Sequence, residues 1–139
     1  MQLNLIPYLS FQGDCEEAFN MYKNIFGGTI EIVQRYDNPA MKAPAEWKEK
    51  VLHAHFKGPG FTFFGADMMH GSDKNSYKSN IALSLDIKDP EEGKKIFDQL
   101  ANGGSIGVPY EKQFWGDWHG NLTDRFGIRW MMNSSQSGS

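Results

Sequence analysis

The chain has one cysteine, Cys15, among 139 residues, so no disulfide can close within it, and a lone thiol fits a reducing compartment such as the cytoplasm. No apolar run approaches the roughly 20 residues that a membrane-spanning helix needs, and no basic leader precedes a continuous apolar segment, so neither a membrane span nor a secretion signal is expected. Lys and Arg (14) are fewer than Asp and Glu (17), and the cations are scattered. Binding a phosphate backbone takes a concentrated basic face, so nucleic acid is not expected as a partner. A phosphate-cradling loop is missing as well: Gly27-Gly28 and Gly103-Gly104 have neither a following Lys-Ser/Thr nor the GxGxxG spacing. No cofactor is implied. What the chain does have is 40% hydrophobic residues, 14% of all residues being aromatic, enough for one sizeable core in a soluble protein. Its expected partners are small molecules and other protein chains.

The pattern is written twice. Residues 2–11 are apolar and β-prone. Asp14 with Glu17 makes a capping box for a helix whose Ala18, Phe19, Tyr22, Ile25 and Phe26 share one face, and Gly27-Gly28 stops it. Thr29 to Tyr36 alternates as a strand. A long connection follows, with a short helical turn at Ala45 to Lys48, and with Met41 and Trp47 it reads as a lid or a dimer arm. Lys50 to Lys57 and Phe61 to Asp67 form a hairpin across Gly58-Pro59-Gly60. After a polar linker at 71–79, Asn80 to Ile87 reads as a strand, and Asp89-Pro90 opens a second helix. Glu16-Glu17-Ala18 lies 75 positions before Glu91-Glu92-Gly93, and Met21, Tyr22 and Ile25 fall at the same offset on Ile96, Phe97 and Leu100. Such internal repetition fixes architecture more firmly than local propensity does. The expected fold class is α+β. Two tandem β-α-β-β-β modules (1–70 and 80–133) form one domain over 1–139, with a frayed tail at 134–139 and curved mixed sheets cupped inward under outer helices. Ala18 and Gly93 share a register, which predicts that both helices approach their sheets closely there.

The densest chemistry is the run Phe114 to Asn133, FWGDWHGNLTDRFGIRWMMN, where Asp124-Arg125-Phe126-Gly127 turns between strands at Trp118 to Thr123 and Ile128 to Asn133. Together with Pro7-Tyr8-Leu9-Ser10-Phe11 and Phe26-Gly27-Gly28, this segment resembles the PhnB-like family of the vicinal-oxygen-chelate superfamily, which also holds glyoxalase I, bleomycin-resistance proteins and extradiol dioxygenases. The resemblance implies the same cupped fold and a homodimer, in some members with modules exchanged between chains. It also implies that metal-using relatives take three or four His, Glu or Gln ligands from the first and last strand of each module. This chain offers Leu5 or Ile6, Phe63 or Phe64, Asn80 and Met131 on those strands, a set that cannot hold a divalent ion. A metal-free cup is therefore expected.

Several side chains compete for a role in that cup. His53 and His55, two apart on one strand, leave the same face, and with Asp67 they are a donor set for a metal or for acid–base work. Strand alternation also produces such pairs on ordinary half-buried faces. The resemblance favours His53, because relatives carry a similar His-Ala pair. His119, flanked by Trp118 and Gly120, is a second acid–base candidate or a rim histidine. Asn80, Ala82, Ser84 and Asp86 form the small, polar face of their strand, opposite Ile81, Leu83, Leu85 and Ile87 under the helix. The expected ligand-lining set is Asn80, Ala82, Ser84, Phe64, Trp115, Trp118 and Met131. Trp130 and Cys15 read as structural, Asp124 as the residue that organises its turn, and Arg125 as a solvated corner. The function expected is metal-free small-molecule binding by a dimer. The alternative is an enzyme, either metal-dependent (a lyase, isomerase or dioxygenase) or acid–base through His53 or His119.

Overall fold

Two twelve-residue helices, α1 (Cys15–Phe26) and α2 (Pro90–Ala101), begin 75 positions apart in the computed structural model, which describes residues 1–68 and 79–135. Around each helix runs a four-stranded sheet, and the chain divides into two compact units, Met1–Lys74 and Asn75–Ser139. Most of the expected linker at 71–79, and the tail beyond residue 135, lie outside the described residues.

In the first unit the strands are β1 (Tyr8–Phe11), β2 (Thr29–Arg35), β3 (Val51–Gly58) and β4 (Phe61–Asp67), in the order β1-β4-β3-β2. The β1–β4 pair is parallel and the others antiparallel. In the second unit β5 (Leu83–Asp86), β6 (Ser105–Lys112), β7 (Trp118–Thr123) and β8 (Arg129–Ser134) repeat this as β5-β8-β7-β6, with β5–β8 parallel. This is the mixed, doubled β-α-β-β-β architecture that the repeat implies. Between helix and sheet the first unit packs Phe19, Tyr22, Phe56 and Phe63 ring against ring, with Phe19 to Phe63 at 5.5 Å and Phe56 to Phe63 at 5.0 Å. Burying each such ring contributes about 2 kcal/mol. The second core is Phe97, Leu100, Tyr110, Leu122, Trp130 and Met132.

The close approach expected at Ala18 and Gly93 is present. Both are buried, and a Cβ on Gly93 would stand 2.9 Å from Ile87 and 2.5 Å from the Tyr110 hydroxyl. Gly28 and Gly104 play matching parts too, since a Cβ on either would collide with a strand carbonyl, that of Lys57 or Thr123.

Several boundaries differ from the sequence reading. β1 starts at Tyr8 rather than at residue 2, and Leu5 is 90% exposed. β5 is confined to Leu83–Asp86, so Asn80 and Ala82 precede it and Ile81, 71% exposed, is not under the helix. β8 ends at Ser134, which is fully buried and shares a hydrogen bond with Tyr110, so the tail does not begin there. The capping of α1 differs as well. Asp14 makes no side-chain cap bond, and the Cys15 amide donates to the Asp67 carboxylate instead. At α2 the expected cap holds, with the Glu91 amide donating to Asp89 at 3.0 Å.

Candidate functional site

Strand register decides which side chains share a face. In the first unit one transverse row reads Tyr8, Phe64, His55, Glu31 across β1, β4, β3 and β2. The corresponding row in the second unit reads Ser84, Met131, Asn121, Val108. His53 precedes His55 by two residues, and His119 precedes Asn121 by two. The two histidines therefore occupy the same place in the repeat, each on the third strand of its module, on the face away from its helix.

Around His53 and His55 the first unit builds a connected array. The Tyr8 hydroxyl lies 3.3 Å from His53 Nδ1, His53 Nε2 lies 2.9 Å from His55 Nε2, and His55 Nδ1 lies 3.4 Å from the Glu31 carboxylate. Aromatic faces hold the rings in place: His55 stacks on Phe64 at 4.1 Å and Tyr8 on His53 at 5.7 Å. The array is open to solvent at both ends, with Tyr8 48% exposed. Partial burial pushes the Tyr8 phenol above its ordinary range, so it keeps its proton at neutral pH.

In the second unit His119 Nδ1 lies 2.7 Å from the Asn133 side-chain oxygen, and the Asn133 amide donates to Ser84 at 3.3 Å. With its nitrogen donating to Ser84, Asn133 offers its oxygen to His119, so Nδ1 carries the proton and Nε2 is left as the basic nitrogen. Met131 and Ser84 sit side by side in this sheet.

Asp67 does not join the histidines. It pairs with Phe11 on the helix-facing side of β4, 1% exposed, and accepts from the amides of Gly13, Cys15 and Val51, each at 2.9 Å. Its carboxylate ties two loops to a helix start, so the trio His53, His55 and Asp67 is not a site. Trp118 leaves β7 opposite Ser134 and packs on Tyr110 at 5.5 Å, on the helix side rather than with Ser84 and Met131. Trp115 lies in the β6–β7 connection, 56% exposed and edge-on to Phe114. Phe63 faces α1 and Phe64 the histidines, which resolves that alternative. Trp47, in the long connection, packs edge-on against Tyr36 in its own unit. Asp124 organises its turn, accepting from the amides of Phe126 and Ile128 and from the Trp130 indole. The guanidinium of Arg125 lies over the Phe126 ring. Burial pushes the Cys15 thiol well above its ordinary range, and Asp67 adds to this, so the helix N-terminus does not activate it.

Sequence reasoning missed Tyr8, Glu31 and Asn133. Parity along β3 fixes the face of His53 and His55, but Tyr8 and Glu31 reach them only through the registers of β1–β4 and β2–β3. The resemblance places ions on the first and last strands of each module. The register puts Tyr8, Phe64, Ser84 and Met131 there, and the next row, Ser10, Ala66, Asp86 and Asn133, adds a single carboxylate. A phenol, a phenyl, a hydroxyl and a thioether do not fit a divalent ion. Among the described residues, no group of three or more His, Cys, Asp or Glu converges on a point.

Paired β-α-β-β-β modules with polar side chains on the helix-distal sheet face define a class, that of the glyoxalase/bleomycin resistance/dioxygenase fold. A glyoxalase/bleomycin resistance protein/dioxygenase from Nocardioides, 16% identical, shares that fold with a TM-score of 0.58 over 100% of this chain and 88% of its own. The match to a family model described as 3-demethylubiquinone-9 3-methyltransferase spans residues 3–133, and the chain belongs to that family, the PhnB-like family. Protein YjdN of Escherichia coli is 34% identical, with 93% of each chain covered. The crystal structure of PA1353 from Pseudomonas aeruginosa is similar at 35% identity and a TM-score of 0.78, covering 96% of this chain and 98% of that one. A putative 3-demethylubiquinone-9 3-methyltransferase, PhnB protein, from Bacillus cereus is similar at 27% identity and a TM-score of 0.80, covering 96% and 100%.

Proposed function

We propose that this chain is a metal-independent small-molecule-binding protein, acting as a cytoplasmic homodimer, whose ligand rests on the helix-distal face of the first sheet against Tyr8, His53 and Phe64. One observation carries the reading. Four polar side chains on that face are joined from Tyr8 to Glu31, while the other face of the same strands packs a cluster of aromatic rings under the helix, with Asp67 at its edge bound to backbone amides. Half-exposed aromatic and imidazole groups, fixed by one another, suit recognition of a small polar molecule with an apolar body. The side chains at the superfamily's ion positions supply no imidazole, and the row beside them a single carboxylate, Asp86, which supports metal independence. Methyl transfer, named in the family description, is not part of this reading: Gly27 (φ 77°) and Gly103 (φ 78°) serve as helix stops, not as a cofactor loop.

A second reading, acid–base catalysis through His119, is favoured by its 2.7 Å contact with Asn133. Protein purified from its own cells, examined by native mass spectrometry and elemental analysis, separates the readings. A bound organic molecule lost in Tyr8→Phe and His53→Ala, with metal far below one equivalent, is the expected result. A stoichiometric transition metal lost with His53→Ala overturns metal independence. No organic adduct, together with a melting temperature unmoved by any compound in a metabolite library, overturns binding.

A further inference from the structure

The array on the first sheet has a direction, and its direction implies what it binds. Glu31 stands 3.4 Å from His55 Nδ1 and favours a proton on that nitrogen, which leaves His55 Nε2 as an acceptor. The 2.9 Å contact between the two Nε2 atoms tolerates one proton and no more, so that proton belongs to His53. His53 Nδ1 is then unprotonated and faces the Tyr8 hydroxyl at 3.3 Å. Every donor along the line points toward Glu31. The Tyr8 oxygen, at the exposed end, has committed its proton inward and presents its lone pairs outward.

We propose that Tyr8, His53, His55 and Glu31 form a proton-accepting relay, and that the ligand is a small, weakly acidic molecule, a phenol or an enol, whose hydroxyl meets the Tyr8 oxygen. This rests on the small-molecule reading of the same face and names its substrate class. The ligand O–H bond breaks and its proton goes to Tyr8 Oη, while the phenolic proton passes to His53 Nδ1. The ligand is left as its anion and His53 as an imidazolium that still donates through Nε2 to His55. His55 and Glu31 touch no ligand. They are positioning residues that hold His53 in the tautomer that can accept the proton, the logic by which a carboxylate orients the histidine of a hydrolase triad. Phe64, stacked beneath His55, keeps that ring from turning.

Two measurements test this. Long-range proton–nitrogen NMR correlations of the unliganded protein read the tautomers directly. The expected result is Nδ1–H on His55 and Nε2–H on His53, with Glu31→Gln returning His55 to a mixture. Nε2–H on His55 in the wild type overturns the relay whatever the ligand is. The second uses 4-nitrophenol, whose absorbance reports its ionisation. The expected result is that it binds as the phenolate at a pH where it is neutral in solution, with the gain in affinity falling about tenfold or more in Tyr8→Phe and His53→Gln, as loss of a charge-assisted hydrogen bond predicts. His55→Gln should weaken phenolate capture and leave binding of the non-ionisable 4-nitroanisole unchanged, which a merely structural role would not do. Binding of 4-nitrophenol only in its neutral form, or no binding at all, overturns the acidic-ligand assignment. A copurified ligand or a thermal shift with some other compound would still leave the small-molecule reading standing.

Discussion

Replacing Asp67 separates a structural carboxylate from a functional one. Its Oδ1 accepts two amide protons, from Gly13 and Cys15, and its Oδ2 accepts a third from Val51, all at 2.9 Å and shielded from water. Asp67→Ala leaves two buried N–H groups, those of Cys15 and Val51, and the half-buried one of Gly13 unmet. Each unmet donor costs about 1–3 kcal/mol, and local relaxation recovers part of the sum, so a loss of about 3–5 kcal/mol is expected. Asp67→Asn keeps the two bonds to Oδ1 but turns an NH₂ group toward the Val51 amide, donor against donor, for about 2 kcal/mol. Against a total stability of about 5–15 kcal/mol, the first change is large and the second measurable. The assay is urea unfolding followed by fluorine NMR of protein carrying 5-fluorotryptophan. Trp47 is the only tryptophan of the first unit, so its resonance reports that unit alone. Equal losses for Ala and Asn, or a loss below about 1 kcal/mol for Ala, would refute the capping argument. A wild-type unfolding midpoint for Asp67→Asn combined with lost ligand binding would return Asp67 to the site.

Three further outcomes follow from named contacts. Gly93→Ala gains up to about 1 kcal/mol of helix propensity but pushes a methyl into Tyr110 and Ile87. A net loss of about 1–2 kcal/mol in thermal unfolding is expected, and a raised melting temperature would contradict the packing. Asn133→Leu removes the acceptor at His119 Nδ1, and nitrogen NMR of the ring should show a move from Nδ1–H toward the Nε2–H tautomer; an unchanged ring would mean that Asn133 does not set it. Arg35 makes a two-pronged hydrogen bond to Glu16 and holds that carboxyl below its ordinary value of 4.5. A lowered folded value means that the stabilisation is intact above the unfolded carboxyl's range and is lost as pH falls through the folded one. The pair is half-exposed, so Arg35→Ala should cost only about 0.5 kcal/mol at neutral pH, and the gap to wild type should close in acid; a gap that widened in acid would reverse the sign.

The doubling of the fold, both helices and the Gly stops are legible in the sequence, because helix periodicity and breakers act over a few neighbouring residues and recur, the helix face 75 positions later and the Gly stops 76. The shared face of His53 and His55 is equally local, since alternation along one strand fixes it. What crosses between strands is not. The β3–β4 hairpin turns on Pro59 and Gly60 with Gly58 opposite Phe61. One more residue in that turn would shift the register by one and move Asp67 to the histidine face. Tyr8 reaches His53 only because β1 runs parallel beside β4, a pairing made by residues more than fifty positions apart that leaves no mark on local composition. The sequence alone thus determined which elements form and how often. The tertiary structure alone decided that Asp67 caps a helix, that Trp118 turns toward the core, and that a tyrosine and a glutamate flank the two histidines, because cross-strand register is set by turn length and burial acting together across the whole sheet.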